Sequence, residues 1–302
     1  MSTSGSDSAA GTAAAPLRTV QALVGALTAG QTGCLQPGTY VENVKVSRGG
    51  APGAPVTLTS ASETQRATLQ GRFWIADSAN DVRIEGLRLN GRNSSNLPSP
   101  TVNGDRITFV DNDVTNDHTT ICFVLGSTSS YGTAVDTLIE RNRIHDCGRL
   151  PAVNKDHGIY LESTRNARIV GNTIYDNADR GIQLYPDAQG SLITRNVIDG
   201  NGTGIIFSGE DGFASSGNVV TGNVISNSNL RYNVESWWAS GNPIGTGNRA
   251  EGNCIWNGAQ GNVDSQVGFT ATGSIISDPL FVDRAGKDFR LRSGSPCAGK
   301  TP

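Results

Sequence analysis

Short runs of alternating apolar and polar residues recur along most of the chain and are separated by turns rich in Gly and Asn. Alternation with a period of two is typical of β-strands, whose successive side chains point to opposite faces. In the segment GIYLE, Ile159 and Leu161 share one face, whereas Tyr160 and Glu162 share the other. The pattern therefore predicts many short strands and an all-β protein.

A phrase with an asparagine between two apolar positions repeats along the chain. Its asparagines are spaced by 30, 30, 24, 27 and 30 residues: Asn112, Asn142, Asn172, Asn196, Asn223 and Asn253. A second phrase, in which Gly precedes an apolar pair, occurs at 157–161, 180–184 and 203–207, offset by 23 residues each time. Periods of this length indicate a solenoid of stacked coils. An Asn at the same turn of successive coils can stack its amides into a ladder that satisfies buried polar groups.

These repeats, the PGTY turn at 37–40 and the ending DPLFVDRAGKDFRLRSGSPCAGK resemble the right-handed parallel β-helix, pectate-lyase-like superfamily over about residues 30–300. The resemblance implies an all-β, right-handed parallel β-helix, for which we expect about 8–10 coils. Leucine-rich repeats, the competing solenoid, would show Leu at fixed places and a helix in each unit. The superfamily contains lyases, hydrolases, epimerases, esterases and phage adhesins, so the fold alone does not define the reaction.

The two ends of the chain depart from the repeat. Leu17, Val20, Val24 and Leu27 recur at helical spacing, which predicts a short helix that caps the N-terminal end. The last 25 residues are expected to form a cap at the other end. Residues 1–16 are small, polar and without period, so we expect a disordered leader followed by a single β-helix domain over residues 17–302.

Composition excludes several classes of protein. Only 36% of the 302 residues are hydrophobic and 17% are charged, which argues against helical bundles. The net charge of −3 argues against a nucleic-acid partner. No apolar segment approaches the roughly 20 residues of a membrane span, so we expect no membrane partner.

The five cysteines contain no CxxC pair, so the spacing of a zinc site is absent. Few thiols and abundant small polar residues favour a secreted protein. In an oxidising compartment, Cys122–Cys147 and Cys254–Cys297 are candidate disulfides, with Cys34 left over. Five buried thiols are the alternative, because sequence does not define connectivity.

Stacking the second phrase at its offset brings chemically active residues to one outward strip. His157 then lies beside Arg180, Tyr160 beside Gln183, and Glu162 beside Tyr185. The candidate substrate-binding residues of this strip are His118, Glu162, Gln183, Asp187, Arg231, Glu235 and Trp237. Aromatic rings stack on pyranose faces and carboxylates bind hydroxyls, so the strip suits a polysaccharide. A solvated face with salt bridges such as Asp179–Arg180 is the alternative.

The first hypothesis for this strip is a polysaccharide lyase, or a related C5 epimerase, acting on a uronic acid. Proton abstraction next to a carboxylate needs positive charge, a base and an acid. Lys155, His157 and Arg180 supply the basic groups, and Tyr160 and Tyr185 are the candidate acids. A Lys on one coil with an Arg on the next is similar to the alginate- and chondroitin-lyase β-helix group.

Two further questions concern the carboxylates of the strip. Asp156 and Asp179 are candidate ligands of a calcium ion, or they orient His157 and Arg180; no cofactor is certain. A glycoside hydrolase would instead use two carboxyls, such as Asp156 with Asp179 or Asp179 with Asp187.

A non-catalytic glycan-binding module is the third hypothesis. The self-contained C-terminal coil favours a monomeric enzyme.

Overall fold

The computed structural model describes residues 1–301, and its strands form a parallel β-solenoid of about 8 turns. The first sheet has ten strands: Thr32–Leu35, Val56–Ser60, Val82–Glu85, Thr108–Val110, Leu138–Glu140, Arg168–Val170, Leu192–Thr194, Val219–Thr221, Asn248–Glu251 and Phe269–Thr272. The second sheet also has ten: Thr39–Val41, Thr68–Gln70, Arg88–Asn90, Asp113–Thr115, Arg143–His145, Thr173–Tyr175, Val197–Asp199, Val224–Ser226, Cys254–Trp256 and Ile275–Ile276. The predicted all-β parallel β-helix is thereby confirmed.

The third sheet completes each coil and carries the longest strands. Its members are Val44–Val46, Phe73–Ile75, Thr101–Val102, Phe123–Leu125, Ile159–Arg165, Arg180–Gln189, Thr203–Gly209 and Val234–Trp238, and Ala134–Val135 pairs with Ile159–Arg165. The inward residues of each sheet stack from coil to coil. In the first sheet, Phe109, Ile139, Ile169 and Ile193 pair in register and are fully buried. One apolar core therefore runs through the solenoid.

The repeated asparagines form the predicted amide ladder in the turn between the first and second sheets. The side-chain oxygen of Asn172 accepts two hydrogen bonds from Asn142, from its main-chain nitrogen at 2.8 Å and its side-chain nitrogen at 3.0 Å. The side-chain nitrogen of Asn172 donates to Asn196 and to the carbonyl of Ile139 in the preceding coil. These asparagines are at most 1% exposed, so the ladder satisfies polar groups that are cut off from water.

The residue before each ladder asparagine has a left-handed backbone. Arg141 has φ 53° and Arg195 has φ 56°, whereas Gly171, Gly222 and Gly252 take the same conformation at φ 62° to 64°. A glycine adopts this region without steric cost, which accounts for the glycines that precede several of the asparagines. The turn geometry is therefore repeated in every coil of this part of the solenoid.

The predicted N-terminal helix is present. Helix α1 spans Val20–Ala26, and Thr19 caps it by accepting a hydrogen bond from the main-chain nitrogen of Ala22. Leu17, Val20, Val24 and Leu27 are all buried, as their helical spacing predicts. Residues 1–16 form turns and bends, and the N-terminal amine of Met1 donates to the carbonyl of Cys34.

The C-terminal segment leaves the repeat as expected, but it packs on the flank of the solenoid. Phe281–Asp283 and Asp288–Leu291 form an antiparallel hairpin. Phe281 and Phe289 pack in one cluster with residues of the second sheet, Tyr175, Val197, Val224 and Cys254. Both candidate disulfides, Cys122–Cys147 and Cys254–Cys297, are formed, and Cys34 is free and exposed. The second disulfide attaches the hairpin segment to the second sheet.

We expect the ladder to control the stability of the solenoid. Asn196→Ala removes the acceptor of two hydrogen bonds from Asn172 and the amide donor to the carbonyl of Ile169, which should cost roughly 2–4 kcal/mol of unfolding free energy. Thermal and denaturant unfolding would measure the loss. The control is Asn229→Ala, whose exposed side chain makes one hydrogen bond and should cost less than about 1 kcal/mol. Equal losses in the two variants would refute a special role for the ladder.

Candidate active site

The candidate site lies on the outer face of the third sheet, where its strands are longest. Ile159 pairs with Ile182 and then Ile205, and all three side chains are buried in the core. Their neighbours Tyr160, Gln183 and Ile206 also pair in register and point to the opposite face. The predicted offset of 23 residues between these coils is confirmed.

Glycines at the start of these strands let the coils approach closely. A Cβ atom on Gly181 would lie 2.8 Å from the carbonyl oxygen of Gly204, and one on Gly204 would lie 2.3 Å from that of Asn233. Real Cβ atoms do not come so close to backbone, so the repeated Gly of the second phrase is required by stacking. This tight packing sets the positions of the polar residues that precede each glycine.

A cleft of about 470 Å³ opens over these strands. It is lined by Asn154, Lys155, His157, Tyr160, Arg180, Gln183, Tyr185, Ile206, Glu210, Arg231 and Trp237. Two larger hollows, of about 600 and 770 Å³, have no aromatic or histidine side chain among the residues that line them. The cleft therefore combines rings, cations and titratable groups as the sequence predicts for the strip.

The loop that carries Lys155 is held by one carboxylate. Asp179 accepts hydrogen bonds from the main-chain nitrogens of Asn154, Lys155 and Asp156 at 2.8–2.9 Å. Asp156 in turn forms an ion pair with Arg149 at 2.5 Å and is 3% exposed. Both carboxylates are thus used to shape the wall of the cleft, and Lys155 is presented on it with an exposed side chain.

Arg180 is the buried cation of the cleft. Only 6% of it is exposed, and its Nη1 atom donates to the carbonyl of Asn154 at 3.1 Å. Its Nε atom is buried and has no hydrogen-bond partner among residues 1–301. Burial lowers the pKa of Arg180, and the nearby Glu235 and Asp179 oppose that shift. An arginine stays charged at neutral pH, so the cleft contains a positive charge with unused donors.

His157 lies beside this cation and is neutral. It is 3% exposed, and its Nδ1 atom has no hydrogen-bond partner among the described residues. Burial holds the pKa of His157 well below its usual 6.5, and the charge of Arg180 lowers it further. A neutral imidazole can accept a proton.

An aromatic row continues from His157 across the cleft. The ring of Tyr160 lies 5.7 Å from that of His157, and Tyr185 stacks on Tyr160 at 6.1 Å with an interplanar angle of 23°. Trp237 follows at 6.3 Å from Tyr185 and is 44% exposed. Burial raises the pKa of both tyrosines, so their hydroxyls remain protonated at neutral pH. The Tyr185 hydroxyl donates to Glu210.

The far side of the cleft contains an ion pair. Arg231 donates from Nε to Glu235 at 3.0 Å, and Thr203 donates to the other oxygen of Glu235 at 3.5 Å. Glu235 is 1% exposed, and burial raises its pKa against the opposing effect of Arg231. Glu235 therefore supports Arg231, which lines the cleft, rather than facing the cleft itself.

Besides Glu235, three predicted substrate-binding residues lie outside the cleft, whereas Gln183, Arg231 and Trp237 line it. His118 donates to the carbonyl of Gly148 and lies 3.3 Å from Asp146. Glu162 accepts hydrogen bonds from Ser127 and Thr128, and Asp187 pairs with Arg165. The pairing register shifts between Leu161 and Ser163, so Ser163 lies opposite Asp187. This irregularity breaks the simple offset from which Glu162 and Asp187 were placed.

Two residues of the cleft were missed by the sequence reasoning. Asn154 turns the loop with a left-handed backbone at φ 65°, and its carbonyl holds Arg180. Glu210 follows the strand Thr203–Gly209 and reaches the Tyr185 hydroxyl. The position of Glu210, directly after the third copy of the glycine phrase, is the signal that could have identified it.

The remaining histidine forms a separate cluster on the second sheet. His145 hydrogen-bonds Asp146 at 2.7 Å and Asp113 at 3.3 Å and stacks on Tyr175. Burial alone would lower the pKa of His145, but the two carboxylates outweigh it and raise the pKa to about 9. Tyr175 also packs on Phe289, so this cluster supports the C-terminal hairpin.

The donor atoms of the cleft do not fit a calcium site. Calcium takes six to eight oxygen ligands, whereas the oxygens of Asp156 and Asp179 already accept hydrogen bonds from Arg149 and the loop nitrogens. Within residues 1–301, no group of three or more His, Cys, Asp or Glu side chains is arranged to hold a metal ion. The contacts thus favour the alternative, in which the two carboxylates position their neighbours.

Comparisons with known proteins agree with this architecture. Residues 101–275 match the family model described as the right handed beta helix region. Among solved structures, the pectate lyase Pel9A has 17% identity and a TM-score of 0.60, with 98% of this chain and 89% of that chain covered. XylC in complex with xylose has 12% identity and a TM-score of 0.58, covering 87% and 69%.

A third similar structure is the A-module of the mannuronan C-5 epimerase AlgE4 from Azotobacter vinelandii, with 16% identity and a TM-score of 0.55, covering 82% of this chain and 67% of that chain. A search of curated proteins finds no match. At such low identities, the likeness establishes the fold. None of the helices in residues 1–301 has the length and apolar character needed to cross a membrane.

The contacts of Asp179 predict that it stabilises the loop rather than a metal. Asp179→Asn turns an acceptor into a donor that faces main-chain nitrogens, so we expect a loss of roughly 2–3 kcal/mol in unfolding free energy. The control Asp288→Asn removes an ion pair on the surface and should lower the unfolding free energy less than Asp179→Asn does. Millimolar calcium should leave the melting temperature of the unsubstituted protein unchanged. A rise with calcium that Asp179→Asn abolishes would restore the calcium assignment.

Proposed function

The chain belongs to the right-handed β-helix family, and from this premise we propose that it is a carbohydrate-active enzyme, a polysaccharide lyase that cleaves a uronic-acid-containing glycan by β-elimination. The observation that carries the proposal is the buried Arg180, with an unpaired donor, beside the neutral His157. The similar structures named as a pectate lyase and a mannuronan C-5 epimerase support a glycan substrate and chemistry at C5.

The reaction requires one proton to leave carbon and another to reach oxygen. The base takes the proton from C5 of a uronate, and the electron pair of that bond forms a double bond between C4 and C5. The bond between C4 and the glycosidic oxygen breaks, and the acid protonates the departing oxygen. Negative charge accumulates on the uronate carboxylate in the transition state, so the site must stabilise an anion.

Arg180 is suited to this stabilisation. Its guanidinium is fixed by the carbonyl of Asn154, and Arg180 is only 6% exposed, so its attraction to a carboxylate is weakly screened. Lys155 stands on the adjacent loop, and Arg231 lines the opposite side. Arg231 is paired with Glu235, so two cations without a carboxylate partner in residues 1–301, Lys155 and Arg180, face the single lining carboxylate Glu210, which makes the cleft attractive to an anionic sugar.

His157 and Tyr160 are suited to the two proton transfers. His157 is neutral and can accept a proton, and the charge that it then gains lies close to the developing anion. Tyr160 keeps its proton, and no side chain of residues 1–301 accepts a hydrogen bond from its hydroxyl, so it can donate to the leaving oxygen. Tyr185, whose hydroxyl is bound to Glu210, and Trp237 offer ring faces on which sugars stack.

The carboxylate pairs expected for a hydrolase receive less support. Asp156 is paired with Arg149, Asp179 with three main-chain nitrogens, and Asp187 with Arg165. None of the three lines the cleft. Two disulfides support a secreted protein, because such bonds persist in oxidising compartments.

The proposal predicts an unsaturated product that depends on Arg180. The protein should raise the ultraviolet absorbance of one member of a panel of uronate polysaccharides, and Arg180→Met, which keeps the aliphatic volume, should lower kcat/KM by about 10²–10³-fold. The matched control is Arg165→Met on the same sheet, outside the cleft. New reducing ends without absorbance would indicate a hydrolase and contradict the proposal. Full activity of Arg180→Met with an unchanged melting temperature would exclude this site.

The pH profile tests His157 as the base. Its folded pKa lies well below 6.5, so the imidazole stays neutral as the pH falls through that value. We therefore expect kcat/KM for the responsive polysaccharide to be level between about pH 6 and pH 8 and to fall only in more acidic solution. A fall of kcat/KM with its midpoint near pH 6.5 would contradict a lowered pKa of His157. If another group were the base, the acidic fall would remain in His157→Gln.

A further inference from the structure

A second hollow lies on the third sheet, next to the candidate cleft on its N-terminal side. It has a volume of about 280 Å³. Its lining combines two rings, one cation, one carboxylate and small polar groups: Arg72, Trp74, Pro98, Thr101, Asn103, Val124, Gly126, Ser127, Ser129, Tyr131 and Glu162. Glu162 and Tyr160 belong to the same strand, so the two hollows share a boundary.

Trp74 is the centre of this hollow. Its indole nitrogen donates to Asn103 at 2.8 Å, which fixes the plane of the ring. Tyr131 meets it edge-on at 5.9 Å and is 58% exposed. The Nζ atom of Lys45 lies 4.3 Å from the ring centre of Trp74, and the guanidinium of Arg72 lies 5.0 Å from it. Both cations therefore lie over a fixed indole, which positions them next to the exposed ring of Tyr131.

The two cations beside Trp74 have no carboxylate partner. Neither Lys45 nor Arg72 takes part in the ion pairs of residues 1–301, and the Nε atom of Arg72 is buried without a hydrogen-bond partner. Glu162 is held through one oxygen by Ser127 and Thr128, so the hollow has one carboxylate against these two cations. Arg72 lines the hollow and Lys45 reaches the Trp74 ring from the preceding coil, so the two supply donors that a ligand carboxylate can use.

The sheet register connects this platform to the candidate cleft. Outward positions pair from strand to strand in the order Lys45, Trp74, Thr101, Val124, Tyr160, Gln183, Ile206 and Glu235. Trp74 and Tyr160 are three strands apart, which is about 14 Å at the usual strand spacing. The two positions between them, Thr101 and Val124, have small side chains and leave the floor low. An extended glycan of a few sugar units spans this distance.

We propose that Trp74, Arg72, Lys45 and Tyr131 form a distal subsite that binds a uronate unit of the same glycan chain that occupies the Arg180 cleft. The inference rests on the proposed function for its choice of ligand. Arg72 and Lys45, which the Trp74 ring positions, attract the carboxylate of the sugar, and the exposed ring of Tyr131 contacts the sugar face. The subsite then increases the affinity for chains long enough to reach it, because its contacts add to those in the cleft.

Equilibrium binding of oligosaccharides of graded length tests the subsite. Isothermal titration calorimetry is carried out with oligogalacturonates and oligomannuronates from dimer to octamer, in the Tyr160→Phe background to suppress cleavage. Neutral cello-oligosaccharides of the same lengths serve as the uncharged series. We expect the affinity to rise with length in one uronate series. Trp74→Ala should lower the affinity for the long members of that series at least about tenfold, or about 1.4 kcal/mol. Arg72→Gln should reduce the preference for the charged series.

Control variants keep the test decisive. Trp256→Ala, which removes a partly exposed tryptophan of the second sheet, should leave the length dependence unchanged. If Trp74→Ala lowers the melting temperature, Tyr131→Ala and Lys45→Gln, which alter exposed side chains, replace it and should reduce the gain by several-fold each. A length dependence in these variants equal to that of the parent would overturn the subsite, as would the absence of binding by both uronate series.

The outcomes for catalysis and for the subsite are distinguishable. Length-dependent binding that requires Trp74, without any unsaturated product from the parent protein, would support the subsite and reject the lyase. Formation of the product together with unchanged binding by Trp74→Ala would support the lyase and reject the subsite.

Discussion

The buried asparagine ladder is the interaction on which the solenoid depends. A buried turn leaves main-chain groups that water cannot reach. Asn172 accepts from the main-chain nitrogen of Asn142 and donates to the carbonyls of Ile139 and Val170, so it satisfies such groups in the preceding coil and in its own. Since the side-chain oxygens from Asn142 to Asn253 each accept two hydrogen bonds from the preceding coil, the coils cannot slide along the strand direction without breaking the whole row. The ladder therefore holds the register while the length of each coil varies from 24 to 30 residues.

The fixed register places the chemistry. The loops at 116–122 and 148–157 lead into strands of the third sheet. The second loop is fastened by Asp179 from the next coil and presents Lys155 and Asn154 over Arg180. Irregular loops thus supply the walls of the cleft, and the regular strands below supply its floor, Tyr160 and Gln183.

Sequence periodicity predicted the strands, the ladder, the capping helix and the pairing of Tyr160 with Gln183, because these follow from stacking at constant offset. It failed for Glu162 and Asp187, since the register shifts between Leu161 and Ser163 and redirects both side chains. It also missed the hairpin docking on Tyr175 and Val197, which depends on the shape of a flank that a linear pattern does not describe. His118 lies in a loop and contacts Asp146 and Gly148, because local hydrogen bonds rather than the strand repeat set the position of a loop side chain.

The cost of burying Arg180 connects stability to function. A guanidinium that loses water without gaining a hydrogen-bonded carboxylate is destabilising, and the fold offers it only one carbonyl and the field of Glu235 and Asp179. Glu235 is itself committed to Arg231, so it does not neutralise Arg180 directly. The neighbouring His157 avoids a second buried charge by remaining neutral. Arg180 lacks a carboxylate partner within residues 1–301, and His157 is free to accept a proton. A ligand carboxylate that pairs with Arg180 therefore offsets the cost of burying this cation.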